Sequence, residues 1–231
     1  MIESPQNIIE EPPSSWVMAR TLSGIGIICA ILIAVVYQTT LPVIQRNKNE
    51  ALENAIYRVL PGTRKTGKFV FVDDNFFHPG DPSTENGLII YAGYDKQDAL
   101  TGVAIEAHGN GYQDVIRILY GYSPDKQAVV GMEILESKET PGLGDKIGRD
   151  PEFLKNFDAL DVRLDTSKDQ LLNSIKMVKK GKKMELWQID AISGATISSK
   201  AVAEILRTST AIWIPRVTAN LDKLKGVNDE H

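Results

Sequence analysis

The sequence predicts an α+β chain: a single N-terminal transmembrane helix followed by one mixed domain of strands and helices. Three observations point to this. Residues 21–45 carry no charged side chain and are mostly aliphatic, strand-like runs separated by turn signals cluster from Phe69 to Glu136, and helical spacing returns toward the C-terminal end. Strands grouped ahead of helices, without regular alternation, argue against a doubly wound parallel sheet.

The expected organisation is a polar tail over 1–20, the transmembrane helix over 21–45, a linker helix over 46–62, the folded domain over 63–214 and a C-terminal tail over 215–231. The tail is Pro-containing and acidic at Glu3, Glu10 and Glu11. As a helix, residues 21–45 would be about 37 Å long, enough to cross a hydrocarbon core of roughly 30 Å. A cleaved leader would need a shorter apolar core and a small-x-small site, and none is convincing here. Arg20 precedes the span while Arg46 and Lys48 follow it, so the charge count leans toward a cytoplasmic domain, although long translocated domains cross largely regardless of such charges.

Beyond Pro42, Leu52, Ala55, Ile56 and Val59 share one helical face, and Pro61-Gly62 ends the pattern. Phe69–Val72 and Leu88–Tyr91 read as strands around a turn-rich loop over 73–86. Its carboxylates, Asp73, Asp74, Asp81 and Glu85, have no calcium-loop spacing. From Gly102 to Glu136 a three-stranded meander is expected, with turns at Asn110-Gly111 and Ser123-Pro124-Asp125, and Val103, Ile105, Val115, Ile116, Ile118, Val129, Val130, Ile134 and Leu135 as core. Helices are expected over 151–157 and around 170–178, the latter partly open to a strand reading, and a strand over 185–189.

Composition narrows the chemistry. A net charge of −4 argues against a nucleic-acid partner, and the lone Cys29 allows no intrachain disulfide, Cys-based zinc site or Cys-ligated cluster. His78, His108 and His231 have no ligand spacing, no metal site is expected, and no G-x-G-x-x-G turn is present for a dinucleotide.

Two stretches carry chemistry. In Asp190-Ala191-Ile192-Ser193-Gly194-Ala195-Thr196, small residues and hydroxyls precede an amphipathic run in which Val202, Ile205, Leu206, Ser209, Ile212 and Trp213 recur at helical spacing. Thr196 should therefore stand at a helix start, where free N–H groups and the helix dipole attract phosphate, with Gly194 and Ala195 leaving access to the backbone. The same residues suit an ordinary helix cap on Ser193 or Thr196. In Glu139-Thr140-Pro141-Gly142-Leu143-Gly144, the proline keeps Thr140 extended and the glycines present Leu143 outward, an apolar side chain that can lie on a flat ring; alone, this is also an ordinary turn.

Together, Asp-x-x-Ser-Gly-Ala-Thr at 190–196 and Glu-Thr-Pro-Gly-Leu-Gly at 139–144 resemble the FMN-binding domain family. The plan is similar to the G subunit of the Rnf ion-translocating electron transport complex and the C subunit of the sodium-pumping NADH:quinone reductase. Val59–Gly62, Gly109–Tyr122 and Gly144–Ile147 extend the resemblance, which covers most of the chain from Thr21 to Trp213. Lys138 departs from relatives that have histidine there, and no role is carried to it.

The resemblance implies an electron-transfer subunit with FMN joined covalently to Thr196 through a phosphoester, and no catalytic residue turning over a substrate of its own. Ser193, Gly194, Ala195 and Asp190 would surround the attachment point, while Glu139, Thr140, Gly142, Leu143 and Gly144 would shape a pocket in which Leu143 lies on the isoalloxazine ring. Lys200 could stand near the phosphate or simply be solvated. An unassisted threonine hydroxyl is a poor nucleophile, so a separate flavin transferase is implied. The other implied partners are membrane and iron–sulfur subunits of a complex linking ferredoxin and NAD. The resemblance also implies a single-pass protein of the bacterial inner (cytoplasmic) membrane with its FMN domain on the outer, periplasmic side, opposite to the charge count. A membrane-tethered binding or assembly module is the alternative of a different class.

Overall fold

The computed structural model describes residues 14–77 and 87–225. Residues 1–13 of the expected tail, the loop positions His78, Asp81 and Glu85, and His231 lie outside the described residues. The chain divides into two compact units at Glu50/Ala51.

Helix α1 runs from Ser15 to Val59 and is long and apolar enough to cross a membrane, its apolar window wholly exposed. The expected division into a spanning helix and a separate linker helix is corrected: α1 passes through Pro42 without a break. Proline removes one backbone donor. Just before it, Thr39 and Thr40 fold their hydroxyls back onto the carbonyls of Val35 and Val36, at 2.9 and 2.8 Å.

The second unit is built on a seven-stranded antiparallel sheet of order β2-β1-β3-β4-β5-β6-β7, comprising β1 (Lys65–Val72), β2 (Asn75–Phe77), β3 (Leu88–Tyr94), β4 (Leu100–Asn110), β5 (Val115–Ser123), β6 (Ala128–Glu136) and β7 (Leu160–Asp161). The α+β expectation and the three-stranded meander are both found, but Val115, expected in the core, is exposed at the start of β5 beside the hairpin tip. The expected loop over 73–86 instead begins with a hairpin. Asp73 and Asp74, with φ of 48° and 59°, form a two-residue turn that pairs Val72 with Asn75, the backbone hand that tight hairpins prefer.

Period-2 alternation buries both faces of the central strands. On one face Val103, Ile105, Ile116, Ile118, Tyr120 and Tyr122 meet helix α3 (Thr196–Ala219). On the other, Ala104, Leu119 and Val130 meet Ala55, Ile56, Val59 and Leu60 from the last turns of α1 and the residue after it. Glycines allow this close approach: a Cβ on Gly121 would lie 2.0 Å from the Val59 carbonyl oxygen, and one on Gly131 2.7 Å from Val59 Cα.

Helix α2 (Pro151–Leu154), capped by the Asp150 carboxylate, continues as a 3-10 turn over Lys155–Phe157, as expected. Of the two readings left open for 170–178, the helix is absent and the partial strand is found. Leu164 bridges Leu171, and β8 (Lys176–Val178) pairs in parallel with β9 (Gln188–Asp190), so pairing with a distant strand overrides local propensity. The 215–231 tail is also corrected in its described part: α3 continues through Pro215 to Ala219, α4 spans Leu221–Lys225, and Val217 and Leu224 are fully buried. Tyr94 donates its hydroxyl to the Leu224 carbonyl at 2.7 Å, fastening that end to the sheet.

Candidate functional site

Helix α3 begins at Thr196 with Ala195 in the cap position and no side-chain cap. Neither Ser193 nor Thr196 therefore acts as the cap that their chemistry allowed. Ser199 organises the turn instead: fully buried, its hydroxyl accepts from the Ile192 N–H at 3.1 Å and donates to the Ala195 carbonyl at 2.8 Å. Gly194 takes φ +84°, a left-handed conformation that favours glycine, and its position would have open space for a Cβ. Thr196 is exposed, and its hydroxyl has no partner among the described residues. The first-turn N–H groups beside it make this end of α3 attractive to an anion.

The 139–144 stretch forms the facing wall. Thr140 accepts the Leu143 N–H at 3.1 Å across a turn with Pro141 second and Gly142, φ +77°, third, the arrangement of a type II turn. Asp145 accepts the Gly142 N–H at 2.8 Å, and a 3-10 turn follows over Gly144–Gly148. Leu143 is left 51% exposed. Gly144 is required by crowding, since a Cβ there would lie 2.5 Å from Glu139 Oε2 and 2.7 Å from Ser198 Oγ.

The tip of the β4–β5 hairpin is the third wall. Glu139, only 5% exposed, joins all three: Oε1 accepts from the N–H groups of Tyr112 at 2.7 Å and Gln113 at 3.2 Å, and Oε2 accepts from the Ser198 hydroxyl on α3. Gln113 also donates to the Thr140 hydroxyl at 3.0 Å. On the outside of the tip Lys138 meets Asp114, which holds the Asp114 carboxyl below its usual range and raises the Lys138 ammonium.

These walls enclose a cleft of about 420 Å³ lined by Tyr112, Glu139, Thr140, Leu143, Gly144, Gly194, Ala195, Thr196, Ile197 and Ser198. It has the size of a small-molecule site. Exposed apolar side chains, Leu143 and Ile197, stand beside an unpartnered hydroxyl, a combination that fits a flat aromatic group carrying a phosphate. The two sequence motifs thus meet, except that Gly142, Ser193 and Asp190 lie outside this lining. Gly142 shapes the turn from behind.

Ser193 faces a neighbouring cleft of about 350 Å³, shared with Gly194, Thr196, Lys179 and Lys180. Asp190 builds that side rather than touching Thr196: its carboxylate accepts the N–H groups of Gly181 at 2.7 Å and Lys182 at 3.3 Å, clamping the lysine turn. Lys183 donates to Asn156 Oδ1 at 3.2 Å; burial lowers its ammonium pKa, while Asp190 and Asp158 oppose that shift. Lys200 is exposed on α3 and lines neither cleft. A larger cleft of about 470 Å³, beside Phe71 and Arg216, lies at the other end of α3 and holds none of the motif residues.

Tyr112 and the lysine turn were not expected at the site, and Ile197, although it directly follows Thr196, was given no role. An aromatic directly after the Asn-Gly hairpin signal, and the run Lys179-Lys180-Gly181-Lys182-Lys183, were the available cues.

Residues 111–210 match the model of the FMN-binding domain family. The G subunit of the ion-translocating oxidoreductase complex of Methanosarcina acetivorans is 33% identical over 193 residues, covering 82% of this chain and 89% of that protein. The protein of the same name from Shewanella piezotolerans is 28% identical over 191 residues, covering 80% and 82%. Among solved structures, NqrC of Shewanella oneidensis superposes with a TM-score of 0.59 at 16% identity, over 78% of this chain and 99% of that one. The C subunit of the Na(+)-translocating NADH-quinone reductase of Parabacteroides distasonis gives 0.56 at 20% identity, over 80% and 96%. The structural likenesses establish the fold. The identity with the Methanosarcina protein, sustained along nearly its whole length, goes further: the chain belongs to the family of G subunits of ion-translocating oxidoreductase complexes.

Proposed function

We propose that this chain is a membrane-anchored electron-transfer subunit of an ion-translocating oxidoreductase complex, carrying FMN as a phosphoester on Thr196. The observation that carries the reading is the exposed, unpartnered Thr196 hydroxyl at an uncapped helix start, opening onto a cleft whose other wall is the 139–144 turn. FMN, when bound, supplies one-electron redox chemistry and the protein supplies placement. Thr196 Oγ provides the ester oxygen, and Gly194 and Ala195 keep its approach open. Ser193 is placed to donate to the phosphate from the adjoining cleft, and Asp190 holds the lysine turn beside it. Leu143 covers the ring, with Thr140, Gly142 and Gly144 setting its position and Glu139 bracing the walls. A flavin transferase takes FMN from FAD, the new Oγ–P bond on Thr196 replacing the pyrophosphate P–O bond so that AMP leaves, and supplies the base or metal that takes the hydroxyl proton and lets threonine act as a nucleophile near neutral pH.

The single apolar helix and relatives named as subunits of one complex support a single-pass membrane subunit with partner subunits; in this reading the membrane is the cytoplasmic one and the partners are membrane and iron–sulfur subunits. We take the domain to lie on the outer side, as the family resemblance implies and against the charge count; protease added to intact spheroplasts should then cleave it, and cleavage only in inverted vesicles would reverse the orientation. Sequence relatives named as G subunits of an ion-translocating oxidoreductase complex favour that complex over the sodium-pumping quinone reductase.

The test is coexpression with a flavin transferase, followed by flavin fluorescence on a denaturing gel and peptide mass mapping. Wild type should show a fluorescent band with the FMN addition on Thr196, and Thr196→Ala should show none while remaining folded. Ser198 and Ser199 are buried and hydrogen-bonded, so modification there, or a flavinylated alanine variant, would refute the assignment.

A further inference from the structure

An aromatic side chain at the tip of a surface hairpin ordinarily gains little by being held still. Tyr112 is 64% exposed, yet the backbone beneath it is fixed more firmly than its surroundings require. Its N–H and that of Gln113 both bond to the buried Glu139 carboxylate, and Gly111 has no room for a side chain, since a Cβ there would lie 2.4 Å from Glu139 Oε1. Burying a carboxylate is costly unless its bonds matter, and two of the three bonds made by Glu139 serve the root of this one aromatic. The phenol has no hydrogen-bond or ring partner among the described residues, and the side chain lines the same cleft as Leu143, Ile197 and Thr196.

We propose that Tyr112 is the aromatic wall of the flavin-ring site, stacking on one face of the ring while Leu143 covers the other. This rests on the reading that the cleft holds FMN. Offset stacking of two aromatic systems adds to the area they bury, and the hairpin anchorage provides the fixed geometry it needs. A stacked phenol also has a photochemical signature. It transfers an electron to the photoexcited oxidised flavin and takes it back in the dark, so fluorescence is quenched with no net reaction.

The experiment is time-resolved flavin fluorescence of the full chain in detergent after coexpression with the transferase, comparing wild type with Tyr112→Phe, Tyr112→Trp and Tyr112→Ala. Phenylalanine keeps a stacking face but cannot donate the electron, so Tyr112→Phe should lengthen the lifetime severalfold while leaving the visible absorption band in place. Tyr112→Ala should lengthen it and also shift the band, and Tyr112→Trp should remain quenched. Lifetimes equal to wild type in both Tyr112→Phe and Tyr112→Ala would overturn the proposal, because a tyrosine that only supports the hairpin changes stability and not the quenching. Failure of the Thr196 reading appears separately, as no flavin band on the denaturing gel. In that case the same variants are titrated with free FMN, and quenching that does not depend on Tyr112 overturns the proposal equally.

Discussion

Glu139→Ala tests whether the cleft is held together as the structure implies. The substitution removes an acceptor of three hydrogen bonds. Bonds to a charged group contribute about 1.5–3 kcal/mol each, but the three losses are unequal. The Tyr112 and Gln113 amides sit at a hairpin tip that water can reach, so most of their loss is recovered by solvation. Ser198 is 3% exposed and cannot recover in that way. Gly111 and Gly144 both lie against the carboxylate, so its removal also leaves a void that the two turns cannot easily fill. The net cost is about 2–4 kcal/mol, taking one full charged bond with a small cavity. At about 2–4 °C per kcal/mol for a domain of this size, the melting temperature should fall by roughly 4–16 °C. Glu139→Gln keeps the length, one carbonyl acceptor for the amides and a donor for the Ser198 oxygen, and should cost less than about 1.5 kcal/mol. Thermal unfolding of the detergent-solubilised chain by near-UV circular dichroism measures both, and amide exchange at Tyr112 and Gln113 should quicken only in the alanine variant. A melting temperature unchanged by Glu139→Ala, or lowered equally by Glu139→Gln, would refute the view of this carboxylate as the brace of the site.

Three other outcomes are expected. Gly121→Ala places a methyl against the Val59 carbonyl, which is backbone and cannot swing aside; it should destabilise by about 3 kcal/mol, the upper end for overpacking, read as a lowered urea midpoint. Leu143→Ala should leave covalent flavin yield intact and shift its midpoint potential in a redox titration, since the side chain is exposed to the cleft and supports no core. Asp161 is held below the usual carboxylate range first by the bidentate Arg163 guanidinium, against burial, which acts the other way; a depressed folded pKa stabilises above the unfolded value of about 3.9 and is lost as pH falls through the folded one, so Arg163→Gln should move the acid-unfolding midpoint to higher pH.

The parts of the fold legible in the sequence are those whose cause is local. The uncharged run, the Asn110-Gly111 turn and the period-2 core of the meander each need only neighbours along the chain to be recognised. Helix α3 was legible in its start and its buried face, although Ile212 is 45% exposed and Thr210 and Ile214 take the inner positions. The rest has other causes. At 170–178 the sequence left helix and partial strand open, and what decides for the strand at Lys176–Val178 is its pairing with a strand further along the chain, which local propensity does not reveal. Helix α1 also continues through Pro42, although the proline takes away the donor for the carbonyl four residues earlier.

The candidate site divides along the same line. Each motif was visible as a string, and each was separately compatible with an ordinary turn or cap. What makes them one site is the register of the sheet: pairing Asn110 with Val115 sets the hairpin tip where the Glu139 carboxylate can reach two of its amides. From there the same side chain reaches Ser198, two residues after Thr196, and fixes the first turn of α3 against the Leu143 loop. A glutamate read in the sequence as part of a pocket is therefore the joint between three elements that are remote in the chain. It also explains why Gly111 and Gly144 stand where they do, since the carboxylate occupies the space a Cβ would need at both. The exposed hydroxyl of Thr196 gains its significance from this joint: a threonine on a free helix end would be one of many, whereas here it faces a cleft whose opposite wall is held in place by a bond to its own helix.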